Sequence, residues 1–167
     1  MPNLNTSRDL FLHELGDILY VEQKLAEEVL PKLIEEVHDP DFRKGLERHL
    51  QQTRGHITNL EQIFDSMGEQ PQTEKCIGFE GLKQEHDELV SEVGESLIDV
   101  VDTGAAARTE HYEIAAYNGL IEMARALGES EAVGLFEENL KEEREALHEV
   151  ESVAKKLRDE LKVTAAS

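Results

Sequence analysis

The sequence predicts an all-α fold: an antiparallel four-helix bundle with one extra short helix between helices 2 and 3. Three observations carry this. Apolar residues recur at alternating spacings of three and four over four long stretches. Prolines and glycines are sparse, four and eleven in 167 residues, and Pro40, Gly68 and Gly128 mark breaks between those stretches. Aromatics make up 5% with no tryptophan, a composition that suits a helical bundle and not a β-sandwich.

Each element has its own signals. Helix 1 is expected from near Ser7, capped by Thr6 or Ser7, to about Val37, with a bend at Pro31 because proline removes a backbone donor. His38-Asp39-Pro40 is a break and restart, with Asp39 as N-cap and Pro40 at the first helical position. Helix 2 runs to about Met67 and stops at Gly68. GEQPQTEKCIGF reads as a loop, followed by the short helix, about Glu80 to Val93. Helix 3 runs from about Ser96 to Leu127 and stops at Gly128; helix 4 is capped by Ser130 and ends near Leu161. The tail VTAAS is expected to fray. No linker interrupts the chain, so residues 1–167 form one domain, large enough to bury a real core.

Charge narrows the function classes. Seventeen basic residues face 37 acidic ones, a net charge of −20. Such a surface repels phosphate backbones and anionic lipid, so no nucleic-acid or membrane partner is expected. It attracts cations, and it also suits a solvating coat adapted to salt. Most of these acids are solvated helix exterior. The single cysteine, Cys76, has no internal disulfide partner, which fits a reducing compartment, and its loop position reads as structural or incidental. No signal peptide or long apolar run is visible, so a soluble, cytoplasmic chain is expected.

The apolar stripes are interrupted by acids. Helix 1 reads Phe11, Leu15, Ile18, Glu22, Leu25, Val29, and helix 4 reads Val133, Phe136, Leu140, Glu143, Leu147, Val150, Ala154, Leu157. Helix 3 holds two: Ala106, Glu110, Glu113, Tyr117, Leu120, Ala124, Leu127. Helix 2 reads Leu46, Leu50, Thr53, Ile57, Leu60, Phe64, Met67, with Gln52 and His56 flanking its polar centre. In an antiparallel hairpin, residues equidistant from the turn lie level. Glu22 and His56 are equally far from Asp39, and Glu113 and Glu143 equally far from Gly128. The two hairpins superpose with a shift of 91 residues, 22 onto 113 and 52 onto 143.

An unpaired carboxylate in an apolar core costs several kcal/mol or more unless it is paired, protonated or bound to a metal. No lysine or arginine occupies these stripes. Carboxylates with an imidazole suit iron or manganese, and such sets at the centre of a bundle are a recurrent di-metal solution.

The chain resembles the ferritin-like superfamily and, within it, the YciF-type bacterial stress proteins. The resemblance spans nearly the whole chain. It is carried by ELGDILYVEQKLAEEVLPKL, HLQQTRGHITNLEQIF, CIGFEGLKQEHDEL, EHYEIAAY and LKEEREALHEV. It implies a ferritin-like bundle, often dimeric, with inward glutamates on helices 1 and 3 and a glutamate with a nearby histidine on helices 2 and 4. Glu22, Glu113 and Glu143 match the inward glutamates, and His56 matches the helix-2 imidazole. Glu110 with Glu113 resembles the ExxE pair of rubrerythrin-like sites, whose extra carboxylate enters or leaves the metal. Two positions depart: Gln52 stands where a glutamate is expected, and Leu147 where a polar residue is expected. His148 is one position along and points about 100° away on an ideal helix.

The expected site therefore comprises Glu22, His56, Glu110, Glu113 and Glu143, with Gln52 and His148 as outlying candidates, holding two irons or manganese ions. Tyr112 or Tyr20 would relay protons or electrons. Small oxidants are the expected substrates and a homodimer the expected assembly, in oxidative or general stress protection, oxidising ferrous iron or reducing peroxide. Each residue has a plainer reading. The glutamates would be protonated or hydrogen-bond Tyr20, Tyr112 or Tyr117; Glu110 would support a ligand; His56 would line an interface; His111 would orient another group or face outward; His148 would lie on the surface. On that reading the chain is a non-enzymatic structural or partner-binding stress protein, with an empty or single-metal polar core.

Overall fold

The computed structural model describes residues 4–165, with side chains through residue 161. Within it the elements are α1 (Ser7–Lys24), a π-helical turn (Leu25–Val29), α2 (Leu30–Glu36), α3 (Pro40–Ser66), α4 (Ile77–Glu92), a 3-10 turn (Glu95–Leu97), α5 (Ile98–Leu127) and α6 (Ser130–Ala165). The first three run on continuously, so the four long rods are α1–α2, α3, α5 and α6. The short α4 lies in the crossover.

Helix starts follow local chemistry. Thr6 caps α1 in a capping box: its hydroxyl accepts from the Asp9 amide, and the Asp9 carboxylate accepts from the Thr6 amide. Asp39 caps α3 by accepting from the amides of Asp41 and Phe42 ahead of Pro40. α4 begins three residues earlier than the periodicity suggests, because the Cys76 thiol accepts from the Phe79 amide. Ser130 opens α6 rather than capping it; the Glu129 carbonyl takes the first helical bond, from Val133. Gly68 and Gly128 have φ of 74° and 78°, the left-handed turn that ends a helix and suits glycine. α6 continues to Ala165, so the expected frayed tail is helical through that residue; Ala166 and Ser167 lie outside the described residues.

The expected irregularity in the first rod takes the form of a π-turn just before Pro31. The Leu30 amide donates five residues back, to Leu25. Proline would crowd the carbonyl four residues before it, and a widened turn relieves that. The extra residue rotates the rod, so the buried stripe passes from Leu25 and Ala26 to Leu30, Leu33 and Val37, while Val29 is only partly buried.

α3 and α5 run in one direction, and the α1–α2 rod and α6 run in the other. The Asp99 carboxylate accepts from the His38 and Asp39 amides, and Lys156 pairs with Asp39 at 2.7 Å. The starts of α3 and α5 and the end of α6 thus share one end of the bundle. Arg8 holds the Met67 carbonyl at the other end. α5 packs on α6, α3 on α6, and α1 on both α3 and α5. The crossover is pinned to α1 by the Glu74 amide donating to the Gly16 carbonyl, and α4 lies against α5. The core is apolar at both ends, with Phe11, Phe64 and Phe136 toward one and Leu33, Val37 and Phe42 toward the other. Its middle is not.

Candidate metal centre

Six ionisable side chains meet in that middle: Glu22 from α1, His49 and His56 from α3, Glu110 and Glu113 from α5, and Glu143 from α6. All six are buried, and Glu22, Glu113 and Glu143 are 0% exposed. They form two groups that share Glu143. In one, potential ligand atoms of His49, Glu110, Glu113 and Glu143 lie within 4.8 Å of one another; in the other, those of Glu22, His56 and Glu143 do.

The second group is the tighter. His56 Nδ1 lies 2.9 Å from Glu143 and 3.2 Å from Glu22, as the hairpin symmetry about Asp39 requires. Its Nε2 lies 2.9 Å from Glu142, a partly exposed carboxylate at the rim. Glu22 also accepts from the Tyr117 hydroxyl, which in turn accepts from Asn139 at 3.1 Å. The first group is looser: His49 Nε2 is 3.3 Å from Glu110 and 3.8 Å from Glu143. No lysine or arginine pairs with any of these four glutamates among the described residues.

Much of the polar surface is unmet. Both oxygens of Glu113 and of Glu143, Oε2 of Glu22 and of Glu110, and Nδ1 of His49 are buried with no aligned hydrogen-bond partner. Native structures leave only about a few such groups per 100 residues, and they rarely gather in one place. Electrostatics show what the cluster does without a cation. Burial, then the neighbouring Glu143 charge, pushes the Glu110 and Glu113 carboxyls well above the usual range. Burial also raises Glu22, against the pull of His56. Glu143 goes the other way: burial opposes its charge, but the His56 hydrogen bond and the nearby His49 outweigh it. Burial opposes charging of His56 too, yet Glu22 and Glu143 lift the imidazole to about 11. The cluster thus centres on a His56–Glu143 ion pair, while burial favours the protonated forms of Glu110 and Glu113.

The donor set fits a pair of metal ions. Four carboxylates and two imidazoles are donor types that suit iron or manganese, Glu143 belongs to both groups, and the orphaned oxygens share one interior.

The expected residues divide cleanly. Glu22, His56, Glu110, Glu113 and Glu143 come together. Gln52 is half-buried, beside the inward stripe of α3 that carries His49, Thr53 and His56. His148 and His111 are exposed, on the outer faces of their helices. Tyr20 donates to Glu80 at 2.9 Å, and the Tyr112 hydroxyl pairs with Cys76 at 2.9 Å. Neither hydroxyl has a partner in the cluster; Tyr117 takes that place. Cys76 caps α4 and holds Tyr112, so it is structural and not incidental.

His49 is outside the expected set because the periodicity of α3 reads equally well through Leu50 and Ile57 as through His49 and His56. The structure buries Leu46, His49, Thr53, His56, Leu60 and Ile63, and leaves Leu50 and Ile57 only partly covered. That stripe keeps a strict three-four alternation and places two histidines one heptad apart. The second imidazole therefore comes from α3, which is why Leu147 on α6 is not needed as a polar position.

Comparison with known proteins agrees with the fold and the motifs. Residues 6–161 match the family described as "Domain of unknown function (DUF892)". Protein YciF of Escherichia coli (strain K12) is 32% identical over 144 residues, covering 85% of this chain and 86% of its own. The crystal structure of the E. coli stress protein YciF superposes with a TM-score of 0.86 at 29% identity, covering 93% of this chain and 98% of that one. YcfI from Rhodopseudomonas palustris also gives 0.86, at 37% identity, covering 89% and 95%. The chain therefore belongs to the DUF892 family, as a stress protein of the YciF type.

Proposed function

We propose that this chain is a di-metal carboxylate protein of oxidative or general stress protection, acting on small oxidants. The observation that carries this is Glu143, shared by two buried ligand groups, most of whose carboxylate oxygens lack an aligned hydrogen-bond partner. Iron or manganese would be held by His49, Glu110 and Glu113 on one side and by Glu22 and His56 on the other, with Glu143 common to both. The bound pair would supply changes of oxidation state for ferrous-iron oxidation or peroxide reduction.

The chain's own residues do the rest. Glu142 accepts from His56 Nε2, which leaves Nδ1 turned inward toward Glu22 and Glu143. The Tyr117 hydroxyl holds one oxygen of Glu22 and leaves the other free. Glu110, in contact with one imidazole only, is the carboxylate best placed to move as charge changes. The phenylalanine and leucine layers above and below keep bulk water out. The working form is a cytoplasmic homodimer on this reading.

Metal analysis of chain purified without chelators tests it. The reading expects about two iron or manganese ions per chain, lost in a Glu22→Ala/Glu143→Ala variant, with ferrous oxidation or peroxide consumption by the loaded protein. No metal after reconstitution with either ion would leave the non-enzymatic reading in its place. Metal without turnover would reduce the function to binding.

A further inference from the structure

Beside the His49–Glu110 side of the cluster the core is hollow. A cavity of about 50 Å³ lies between the π-turn, α2, α3, α4 and α5. Its walls are mostly apolar, with Leu25, Leu30, Leu33, Leu46, Phe79 and Ala106; His49, Lys83, His86, Thr109 and Glu110 are the polar residues of the lining. A second hollow, about 30 Å³, meets the same two residues from the α3–α6 side. Both residues are more than nine-tenths buried, and each carries an unpartnered polar atom, Nδ1 of His49 and Oε2 of Glu110. Lys83, a half-buried side chain of the first cavity's lining, pairs at 3.2 Å with Glu28 of the π-turn, tying together two of the cavity's walls.

Size and polarity select the occupant. A water needs roughly 10–15 Å³ on this measure, so about 50 Å³ admits roughly three to five water-sized atoms and no larger organic substrate. The mostly apolar walls favour an uncharged occupant, and the −20 surface repels anions from outside. We propose that this cavity is the binding site and approach for a small uncharged oxidant of dioxygen size, delivered to the His49–Glu110 side of the cluster. The inference rests on the proposed function for the oxidant's fate, but not for the cavity's occupancy. The π-turn gains a purpose here: its added residue brings both Val29 and Leu30 into the lining.

The test has two independent arms. Crystals of the metal-free chain under xenon pressure should show one xenon among Leu30, Phe79 and Ala106. Ala106→Leu, one turn before Glu110, should abolish it. Ala105→Leu, closer to the surface, guards against a folding failure at Ala106. In the second arm, iron-loaded Ala106→Leu should keep its ferrous affinity within twofold while oxidation by dioxygen slows at least tenfold. Slowing with dioxygen supports the assignment whether or not hydrogen peroxide is slowed too; the peroxide arm decides whether that more polar molecule shares the route. Absence of xenon from the wild-type cavity overturns the site, and unchanged dioxygen rates in both blocked variants overturn the route. Failure of the chain to bind iron would sink the proposed function while leaving the xenon result to stand or fall alone.

Discussion

Replacing Glu113 by methionine should stabilise the metal-free chain. Glu113 is 0% exposed, and neither carboxyl oxygen has a hydrogen-bond partner. Leaving a buried polar group unsatisfied costs about 1–3 kcal/mol. Methionine is of similar length and carries no oxygen, so about 2 kcal/mol should be recovered. For a domain of this size each kcal/mol moves the thermal midpoint by about 2–4 °C, which predicts a rise of about 4–8 °C in chelator. With iron or manganese at a hundred times its Kd, the wild-type chain should gain about 2.7 kcal/mol per site, and Glu113→Met should gain much less. Thermal unfolding followed by circular dichroism, with and without metal, reads both effects. An ordinary core residue would give the opposite pattern. A metal-free midpoint that falls by several degrees, or a metal-dependent gain equal in the two proteins, would refute the reasoning.

Other outcomes follow from the same geometry. Because burial keeps Glu110 and Glu113 protonated, loading a divalent metal in weak buffer at neutral pH should release protons, and a chelator should reverse it; a pH-stat finding no release would contradict the protonated cluster. His86 is held above its ordinary pKa by its 2.7 Å bond to Asp102, against burial. A raised folded-state pKa stabilises fully below the unfolded value of about 6.5 and fades as pH rises through the folded one. The stability gap between wild type and Asp102→Asn should therefore narrow from pH 6 upward; denaturant titrations across that range would show it, and a gap that widens would reverse the assignment. Asp39→Ala removes the α3 cap and the partner of Lys156, and should lower stability by about 1 kcal/mol, read as a shift in denaturant midpoint. If the net charge of −20 is a salt-adapted coat, the unfolding midpoint of the metal-free chain should climb with added salt, and a flat profile would count against it.

The bundle was legible because its signals are local and redundant. Asp39-Pro40, Gly68 and Gly128 punctuate the chain, and the three-four alternation fixes the inward stripes of α5 and α6, where Glu110, Glu113, Tyr117 and Glu143 all face the core as read. Five of the six cluster residues followed from asking why acids interrupt those stripes. His49 escaped because α3 offers two overlapping stripes, Leu46-Leu50-Ile57 and Leu46-His49-His56. Hydrophobicity favours the first, whereas the buried carboxylates opposite select the second. The π-turn was visible only as a bend at Pro31, since nothing local says which side of a proline absorbs the strain. The tyrosine whose hydroxyl meets the cluster differs from the two expected for a related reason. Tyr112 adjoins Glu113 in sequence, but on a helix the neighbour in space is four residues on, at Tyr117.

An anomalous-scattering map from crystals grown with ferrous iron or manganese tests the central claim most directly. The account predicts two peaks inside the bundle on either side of Glu143, one among His49, Glu110 and Glu113, the other beside Glu22 and His56. An interior holding only water, or a single peak remote from Glu143, would contradict it.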